Sequence, residues 1–380
     1  MLNSRVVVLY AATIIVIIGH GSKAKACLEV ERKALLKYKA FLKSPASLSS
    51  WINDSNSDCC GWERVTCDPD SGHVTHLFLQ FLNGVYPHPD DFDPYIHQCL
   101  NFLTLDFSFF VPFKNLTAID FSFNCFNNSI FTQDHGGMST LKTLEAIDLS
   151  YCSFNISVID TLTSFTSLKT LLLRNNFLDG PFPVRELLAL RNLEHLDLSS
   201  NRLQSPSEID DFKRMSELKK LETLDLSQNY LTINVTSIFR SLSPLKFLKN
   251  LLLSQYSMGT LGPLAIDELS VLQNLETLDL SENSLTITSS SSTTPEYSKT
   301  LSRLMLETLD LSGTHVVNAN TTFKFLSHLP NLRSLILHET EILFGEQDDE
   351  VFADLPNLEV LILRSVSGTT VPIQGEHTFS

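Results

Sequence analysis

Glycine is scarce in this 380-residue chain, with 14 residues where average usage supplies about twice as many. The scarcity argues against a glycine-rich loop that would cradle a phosphate. Basic residues are also in deficit, because 28 Lys and Arg face 43 Asp and Glu. The formal charge of −15 argues against nucleic-acid binding, because Lys and Arg side chains are needed to neutralise the phosphates. Hydrophobic residues, at 43%, suffice for a large buried core.

Long hydrophobic runs are missing after the N-terminus. The run over residues 6–18 is 13 residues long, well short of the ~20 needed to span a bilayer. It follows an arginine and precedes the small-residue site Ala24-Lys-Ala26, which is the pattern of a cleaved secretory signal. We therefore predict a signal peptide over residues 1–26 and a soluble mature chain in an oxidising compartment.

Cysteine is absent beyond residue 152, and four of the seven cysteines share a short segment with both tryptophans. A zinc site is the alternative interpretation, but adjacent Cys59-Cys60 suits chelation poorly and a secreted chain favours disulfides. Apolar residues at helical spacing over 34–42 precede this pair. We predict a disulfide-stapled helical cap over residues 27–68. One disulfide and one buried thiol are predicted among the others: Cys99, Cys125 and Cys152.

Leucine recurs at a fixed spacing through the rest of the chain. The eleven-residue template L-x-x-L-x-L-x-x-N-x-L, numbered 1 to 11, occurs ten times, at steps of 24 to 31 residues between position-9 anchors. The anchors are Asn124, Cys152, Asn176, Asn201, Asn229, Tyr256, Asn283, Thr314, Thr340 and Val366. The spacing predicts an α/β solenoid. The x-L-x-L-x core, positions 3–7, forms strands of one concave parallel sheet, and each asparagine bonds turn backbone in the neighbouring coil.

Two segments interrupt this period. Residues 69–112 hold the first strand and an irregular connection rich in Pro and Asp. Residues 113–380 hold about ten repeats, with a Ser/Thr loop over residues 286–300 that we expect to bulge from the coil.

The cap and repeat motifs together resemble a known family. Cys27-Leu-Glu-Val-Glu-Arg-Lys-Ala-Leu-Leu, Asp58-Cys-Cys-Gly-Trp and Val65-Thr-Cys resemble the N-terminal cap of plant leucine-rich-repeat receptors. The LDLS-type strands are similar to their repeats, and the chain most resembles receptor-like proteins, which have an ectodomain and a membrane anchor but no kinase. The resemblance implies a leucine-rich-repeat horseshoe with two cap disulfides, Cys27–Cys59 and Cys60–Cys67.

The sequence also departs from that family. Its usual continuation L-x-G-x-I-P is approached only by Leu178-Asp-Gly-Pro-Phe-Pro183, which predicts that most coils lack the family's second strand. A C-terminal cysteine cap, an acidic stretch and a membrane helix are missing. We therefore expect a truncated ectodomain whose last strand leaves an open apolar sheet edge.

Aspartate and glutamate mark the face predicted to be concave. Position 5 carries Asp120, Asp148, Leu172, Asp197, Asp225, Leu252, Asp279, Asp310, Ile336 and Ile362. Position 2 adds Glu145, Glu194, Glu222, Glu276, Glu307 and Glu359. These acids either hydrate an exposed sheet as consensus residues or form an acidic trough that attracts a basic peptide or ion. Non-consensus residues are the candidates for ligand binding: Lys169, Arg174, His195, Gln228, Gln255, Glu282, Arg333, His338, Glu339 and Arg364.

An enzyme is not predicted. His195, Asp197 and Ser199 match a catalytic triad in composition only, because residues two apart on a strand are separated by ~6.7 Å. No cofactor and no metal site are expected.

Two functions fit the resemblance. The first is the ligand-recognition ectodomain of a plant cell-surface receptor-like protein, which binds a peptide or protein ligand, with a receptor kinase as co-receptor, in defence or development. It implies the extracellular side of the plasma membrane, or the apoplast for the chain as written. The alternative is a secreted inhibitor of a cell-wall-degrading enzyme, similar to polygalacturonase inhibitors. N-glycans are predicted off the concave face, at Asn53, Asn115, Asn127, Asn155, Asn234 and Asn320.

Overall fold

The computed structural model of the protein describes most of the predicted cap and repeats. It covers residues 25–42, 48–82, 102–131, 141–206, 209–255, 263–288, 303–317, 319–342, 355, 357–363 and 375–378. The predicted signal peptide lies outside these ranges except for its last two residues, and so does most of the predicted Ser/Thr loop.

The cap is a helix stapled to the first hairpin. Helix α1, Glu29–Leu42, buries Leu35 and Tyr38. Disulfides join Cys27 to Cys59 and Cys60 to Cys67, as the resemblance implied. Among the other described cysteines, Cys125 is disulfide-bonded and Cys152 is a free, buried thiol, which confirms that prediction.

A 13-stranded sheet runs the length of the molecule. Strands are numbered in chain order, and this sheet comprises β1 (Val65–Cys67), β2 (Val74–Phe78), β4 (Ala118–Asp120), β6 (Ala146–Asp148), β7 (Thr170–Leu172), β9 (His195–Asp197), β11 (Thr223–Asp225), β12 (Asn250–Leu252), β14 (Thr277–Asp279), β16 (Thr308–Asp310), β18 (Ser334–Ile336), β20 (Val360–Leu363) and β21 (Gly375–Thr378). From β2 to β20 every neighbouring pair is parallel and in matching template register. The predicted solenoid is confirmed.

The leucine template builds one continuous core. Position-4 side chains stack under the sheet; Leu171, Leu196 and Leu224, for example, are fully buried and adjacent in register. Each coil covers the apolar face of the next, so the coils are stable only as a stack. In the first coils phenylalanines replace leucines, and Tyr38 of α1 packs on Phe110 with ring centroids 5.1 Å apart. The cap therefore closes the N-terminal end of this core.

Most coils contain a second strand, which follows the strand of the 13-stranded sheet in the same coil. The prediction that most coils lack this strand was wrong. The second strands form lateral sheets from β3 (Leu103–Asp106), β5 (Phe126–Phe131), β8 (Asp179–Pro181), β10 (Arg202–Gln204), β13 (Pro263–Ala265), β15 (Thr286–Thr288), β17 (His315–Val316) and β19 (Glu341–Ile342). Parallel backbone pairing holds these strands, and Leu264, Ile287 and Val316 each add one buried aliphatic residue to β13, β15 and β17. Gly and Pro are therefore not required. Residues 286–288 also belong to β15 and not to a loop.

Short helices lie between the strands. They are α2 (Ser157–Leu162), α3 (Val184–Leu187), α4 (Ile209–Lys213), α5 (Val235–Leu242) and α6 (Ala319–Leu326), with 3₁₀ turns at Cys59–Gly61, Phe107–Phe110, Arg214–Glu217 and Ile266–Val271. In the ranges described, none of the helices combines the length and apolar character needed to cross a membrane.

The C-terminal edge of the parallel sheet is not open. Strand β21 pairs antiparallel with β20, and Leu361 is the register partner of His377. The prediction of an exposed edge at β20 was therefore wrong, because backbone pairing needs no apolar pattern and the polar tail gave no sequence signal.

Candidate functional site: the concave sheet

The anchor asparagines hold successive strands in place. Asn201 Nδ2 donates to Leu173 O of the preceding coil at 2.9 Å and to Leu198 O of its own coil at 3.0 Å. Its Oδ1 accepts from Leu178 N at 3.1 Å. Asn124, Asn176, Asn229 and Asn283 repeat the bond to the preceding coil. The predicted asparagine ladder is confirmed, and it fixes the register of the side chains on the sheet.

The residue before each anchor adopts a left-handed backbone, which the sequence reasoning missed. Nine described residues before an anchor show it, with φ between 46° and 64°: Phe123, Tyr151, Asn175, Ser200, Gln228, Gln255, Glu282, Gly313 and Glu339. Phe81, at the equivalent position of the coil that contains β2, shows it too. Residues other than glycine rarely adopt this conformation. The glycine at 313 was the one sequence signal. Four of the predicted ligand-binding residues occupy this ladder, at the end of the strand turn.

Aromatic rings stack along the first part of this ladder. The ring centroids of Phe81 and Phe123 are 4.5 Å apart, and those of Phe123 and Tyr151 are 4.2 Å apart with planes 8° from parallel. The Tyr151 hydroxyl accepts a hydrogen bond from Arg174 Nε at 3.1 Å. Arg174 thus joins the aromatic stack to the middle of the sheet.

The position-5 aspartates close the strand turns. Asp197 Oδ1 accepts from Ser199 N at 2.8 Å and from Ser199 Oγ at 2.6 Å, and Asp310 does the same with Ser312. Ser199, the serine of the triad-like set, therefore donates to Asp197 and stabilises the strand turn. Asp197, Asp225 and Asp310 are only 4%, 3% and 7% exposed, so the interpretation that the aspartates hydrate an exposed sheet is wrong for these three. Asp120, Asp148 and Asp279 are half-buried. Burial follows because each carboxylate folds back onto its own turn.

The aspartates form three pairs of register partners on adjacent strands. The pairs are Asp120–Asp148, Asp197–Asp225 and Asp279–Asp310. Leu172 and Leu252 separate them. Each aspartate consequently has one aspartate neighbour and never two.

Burial raises the pKa of all six carboxyls above the ordinary aspartate value. Desolvation, followed by repulsion from its partner, raises the pKa of Asp148 to about 7 and that of Asp225 to about 7. The same causes raise the pKa of Asp310 to about 6. Two cations oppose this effect: Arg64 lowers the pKa of Asp120, and Arg174 lowers those of the second pair, although desolvation still prevails.

Charges at position 2 pair across neighbouring strands. The pairs are Lys169–Glu145 at 2.8 Å, Lys249–Glu222 at 2.9 Å and Arg333–Glu359 at 3.1 Å. Hydrogen bonding to the glutamates raises the pKa of Lys169 and Lys249 above the ordinary lysine value. These cations remain about half exposed, so their charges are only partly neutralised.

The residues at positions 2 and 5, taken together, form a pattern that repeats every three strands. Strands β7, β12 and β18 carry a base at position 2 and an aliphatic residue at position 5: Lys169 with Leu172, Lys249 with Leu252 and Arg333 with Ile336. The intervening strands β9, β11, β14 and β16 carry Glu and Asp at the same positions. Basic–aliphatic stripes therefore alternate with acidic double stripes, every ~14 Å at ordinary strand spacing.

Four of the ten predicted ligand-binding residues contact another member of the set. Gln228 accepts from Ser200 Oγ and donates to Gln255 Oε1, the latter at 3.1 Å. His338 Nε2 lies 3.4 Å from Glu339 Oε1. His195 lies half-buried on β9, Glu282 lies against Gly313, and Arg364 is outside the described residues.

One group of potential metal ligands occurs in the described part of the chain, and it lies in the cap. It consists of Cys27, Asp58 and Cys60. Both cysteines are disulfide-bonded, so their sulfurs are not thiolates that could bind a metal.

Comparison with known families accounts for both parts of the chain. The leucine rich repeat N-terminal domain family matches residues 28–68. The leucine rich repeat family matches residues 192–215, 220–242 and 274–295.

Similar curated proteins come from Arabidopsis thaliana. Receptor-like protein 9a is 36% identical over 200 residues, which cover 52% of this chain and 19% of that protein. Receptor-like protein 13 is 36% identical over 278 residues, which cover 70% of this chain and 24% of that protein. The chain thus spans a quarter or less of the length of these relatives.

Solved structures share the fold. The ectodomain of the Arabidopsis receptor kinase HAESA, in complex with an IDA peptide hormone, superposes with a TM-score of 0.56 at 22% identity, covering 89% of this chain and 53% of that one. The PEPR1–AtPEP1 structure superposes with a TM-score of 0.55 at 24% identity, covering 90% of this chain and 42% of that one. At this identity the likeness establishes the solenoid.

Proposed function

Because the chain belongs with the plant leucine-rich-repeat receptor-like proteins, we propose that it is the ligand-recognition ectodomain of a cell-surface receptor. The concave sheet binds an extended peptide or a protein segment on the extracellular side of the plasma membrane. A receptor kinase acts as its co-receptor in defence or developmental signalling.

The observation that carries this proposal is the striped concave sheet. Eleven parallel strands present one continuous surface, and the basic–aliphatic stripes interrupt the consensus acids at every third strand. A peptide that lies along the sheet meets an acidic double stripe every ~14 Å, which is four to five residues of extended chain. We therefore expect the ligand to carry basic residues at that spacing, with apolar residues over Leu172 and Leu252.

The similar solved receptors give further support. The HAESA ectodomain structure contains an IDA peptide hormone, and the PEPR1 structure contains AtPEP1. We propose that this chain also binds a peptide, and that the charge pattern of its own concave sheet selects the peptide.

The test uses designed peptides on the purified mature chain. One peptide places lysines every four to five residues between apolar residues, and a second has the same composition with the lysines clustered. We expect the spaced peptide to bind at least ten-fold more tightly. Lys169→Gln/Lys249→Gln/Arg333→Gln should alter affinity, whereas Lys37→Gln/Arg303→Gln/Lys324→Gln, at exposed sites off the sheet, should not. Equal affinity for both peptides would contradict the proposal.

A further inference from the structure

A second surface, outside the concave sheet, is built from the turns that lead into the strands. In each of the first six repeats the N–H of the position-1 leucine donates to the carbonyl three residues earlier. The closing leucines are Leu116, Leu144, Leu168, Leu193, Leu221 and Leu248. Both end residues of every turn are buried, so the two central residues of each turn face outwards.

Side chains at the third turn position join these turns into a ladder. Thr143 Oγ1 donates to Lys114 O at 3.0 Å, and Ser167 Oγ donates to Lys142 O at 2.5 Å. Asn192 Nδ2 donates to Thr166 O at 2.8 Å. These bonds connect the first four turns to one another along the edge where the strands begin.

The second turn position of this ladder is basic in five of the six coils. Its residues are Lys114, Lys142, Thr166, Arg191, Lys219 and Lys246, and the corresponding residues of later coils are Gln273 and Pro330. Lys220 adds a further base at the third position, where its Nζ bonds Asn192. We name Lys114, Lys142, Arg191, Lys219, Lys220 and Lys246 the basic edge. At ordinary strand spacing it spans ~24 Å.

The basic edge is unusual in a chain with 15 more acids than bases. All six side chains are exposed, and within the described residues none of them forms an ion pair. By contrast, the position-2 bases on the concave face are paired with glutamates. A row of six exposed, unpaired bases therefore lies along one edge of a molecule with a net negative charge.

We propose that the basic edge is a second binding site, independent of the concave sheet, for a linear polyanion with one carboxylate per unit, of the polyuronate class. The row offers about one cation per coil, so it recognises charge density along a line. A protein partner would require a well-packed apolar centre in its interface. Phe247, 58% exposed, is the large apolar residue at these turns and lies at the end of the row.

The test measures binding of a purified linear oligogalacturonide to the mature chain at low and high salt. We expect binding that weakens at least ten-fold between 50 and 300 mM salt, as screening predicts. Lys142→Gln/Arg191→Gln/Lys219→Gln/Lys246→Gln should lose at least ten-fold in affinity. Lys114 is left unchanged because its neighbour Asn115 is a predicted glycosylation site.

A matched control separates the edge from overall charge. Lys37→Gln/Arg185→Gln/Arg202→Gln/Lys324→Gln changes net charge equally at exposed sites elsewhere and should bind like the wild type. Equal losses in both variants, or no binding by the wild type, would overturn the proposal. Tighter binding of poly-glutamate, or of vesicles with anionic lipid, than of the oligogalacturonide would overturn the polyuronate assignment. The peptide test of the concave sheet uses other residues, so either proposal can fail alone.

Discussion

Asp197 and Asp225 are register partners on adjacent strands, and both are buried, with 4% and 3% of their surfaces exposed. Two carboxylates in such positions cannot both ionise without cost. Desolvation and the neighbouring Asp197 raise the pKa of Asp225 to about 7, and Arg174 only partly offsets this. Asp225 therefore stays protonated at acidic pH and loses its proton near neutrality.

The first prediction concerns stability against pH. The folded-state pKa values of Asp148, Asp225 and Asp310, about 7, 7 and 6, lie above the unfolded value near 3.8. The folded state thus binds more protons in this window, and the free energy of unfolding must fall as pH rises from about 4 to 7. Denaturant unfolding at pH 5 and pH 7.5 measures it.

A triple variant isolates these groups from the rest of the chain. Asp148→Asn/Asp225→Asn/Asp310→Asn keeps the turn-closing acceptors and removes the charges, so the decline with pH should flatten. Asp179→Asn, exposed on β8, should leave it unchanged. A decline of equal slope in the triple variant would refute this assignment.

The second prediction concerns the aliphatic spacer Leu172. Its register partners are Asp148 and Asp197, so Leu172→Asp would join two pairs into five consecutive aspartates. We expect the free energy of unfolding to fall by about 1–3 kcal/mol at pH 7.5. Leu172→Asn is the neutral control. The difference between the two variants should shrink at pH 5, and a difference independent of pH would contradict the role of charge.

The third prediction concerns the asparagine ladder. Asn201→Ala leaves buried backbone groups of two coils without partners, and we expect a loss of about 2–4 kcal/mol in the free energy of unfolding. Asn192 also bonds the preceding coil but at an exposed turn, so Asn192→Ala should cost less than about 1 kcal/mol. Chemical denaturation of both variants gives the comparison, and similar losses would show that burial does not set the cost.

The fourth prediction separates a helix cap from a glycan. Asn234 Oδ1 accepts from Thr236 N at 2.8 Å and caps α5, and Asn234 also begins a predicted glycosylation sequon. Thr236→Ala should remove the glycan and keep the cap, whereas Asn234→Gln should remove both and cost about 1 kcal/mol more. Glycopeptide mass spectrometry and thermal unfolding measure the two effects. Equal melting temperatures would argue that the cap contributes nothing.

Sequence spacing alone determined which residues share a row. The leucine spacing defines the length of each coil, and the position-9 anchor assigns every residue in the coil its template position. The alternation of Asp225 with Leu252 along position 5 could therefore be read before any coordinates were known. The cap disulfides followed from a resemblance, since four clustered cysteines allow more than one pairing.

Tertiary structure decided how those residues behave. Whether Asp197 is hydrated or buried depends on neighbours about 25 residues away in the chain. It also depends on Ser199, which donates to its carboxylate. The lateral strands and the pairing of β21 rest on backbone hydrogen bonds, which carry no side-chain signature. Solvation and backbone pairing are properties of the stacked coils, so the template that predicts one coil cannot predict them.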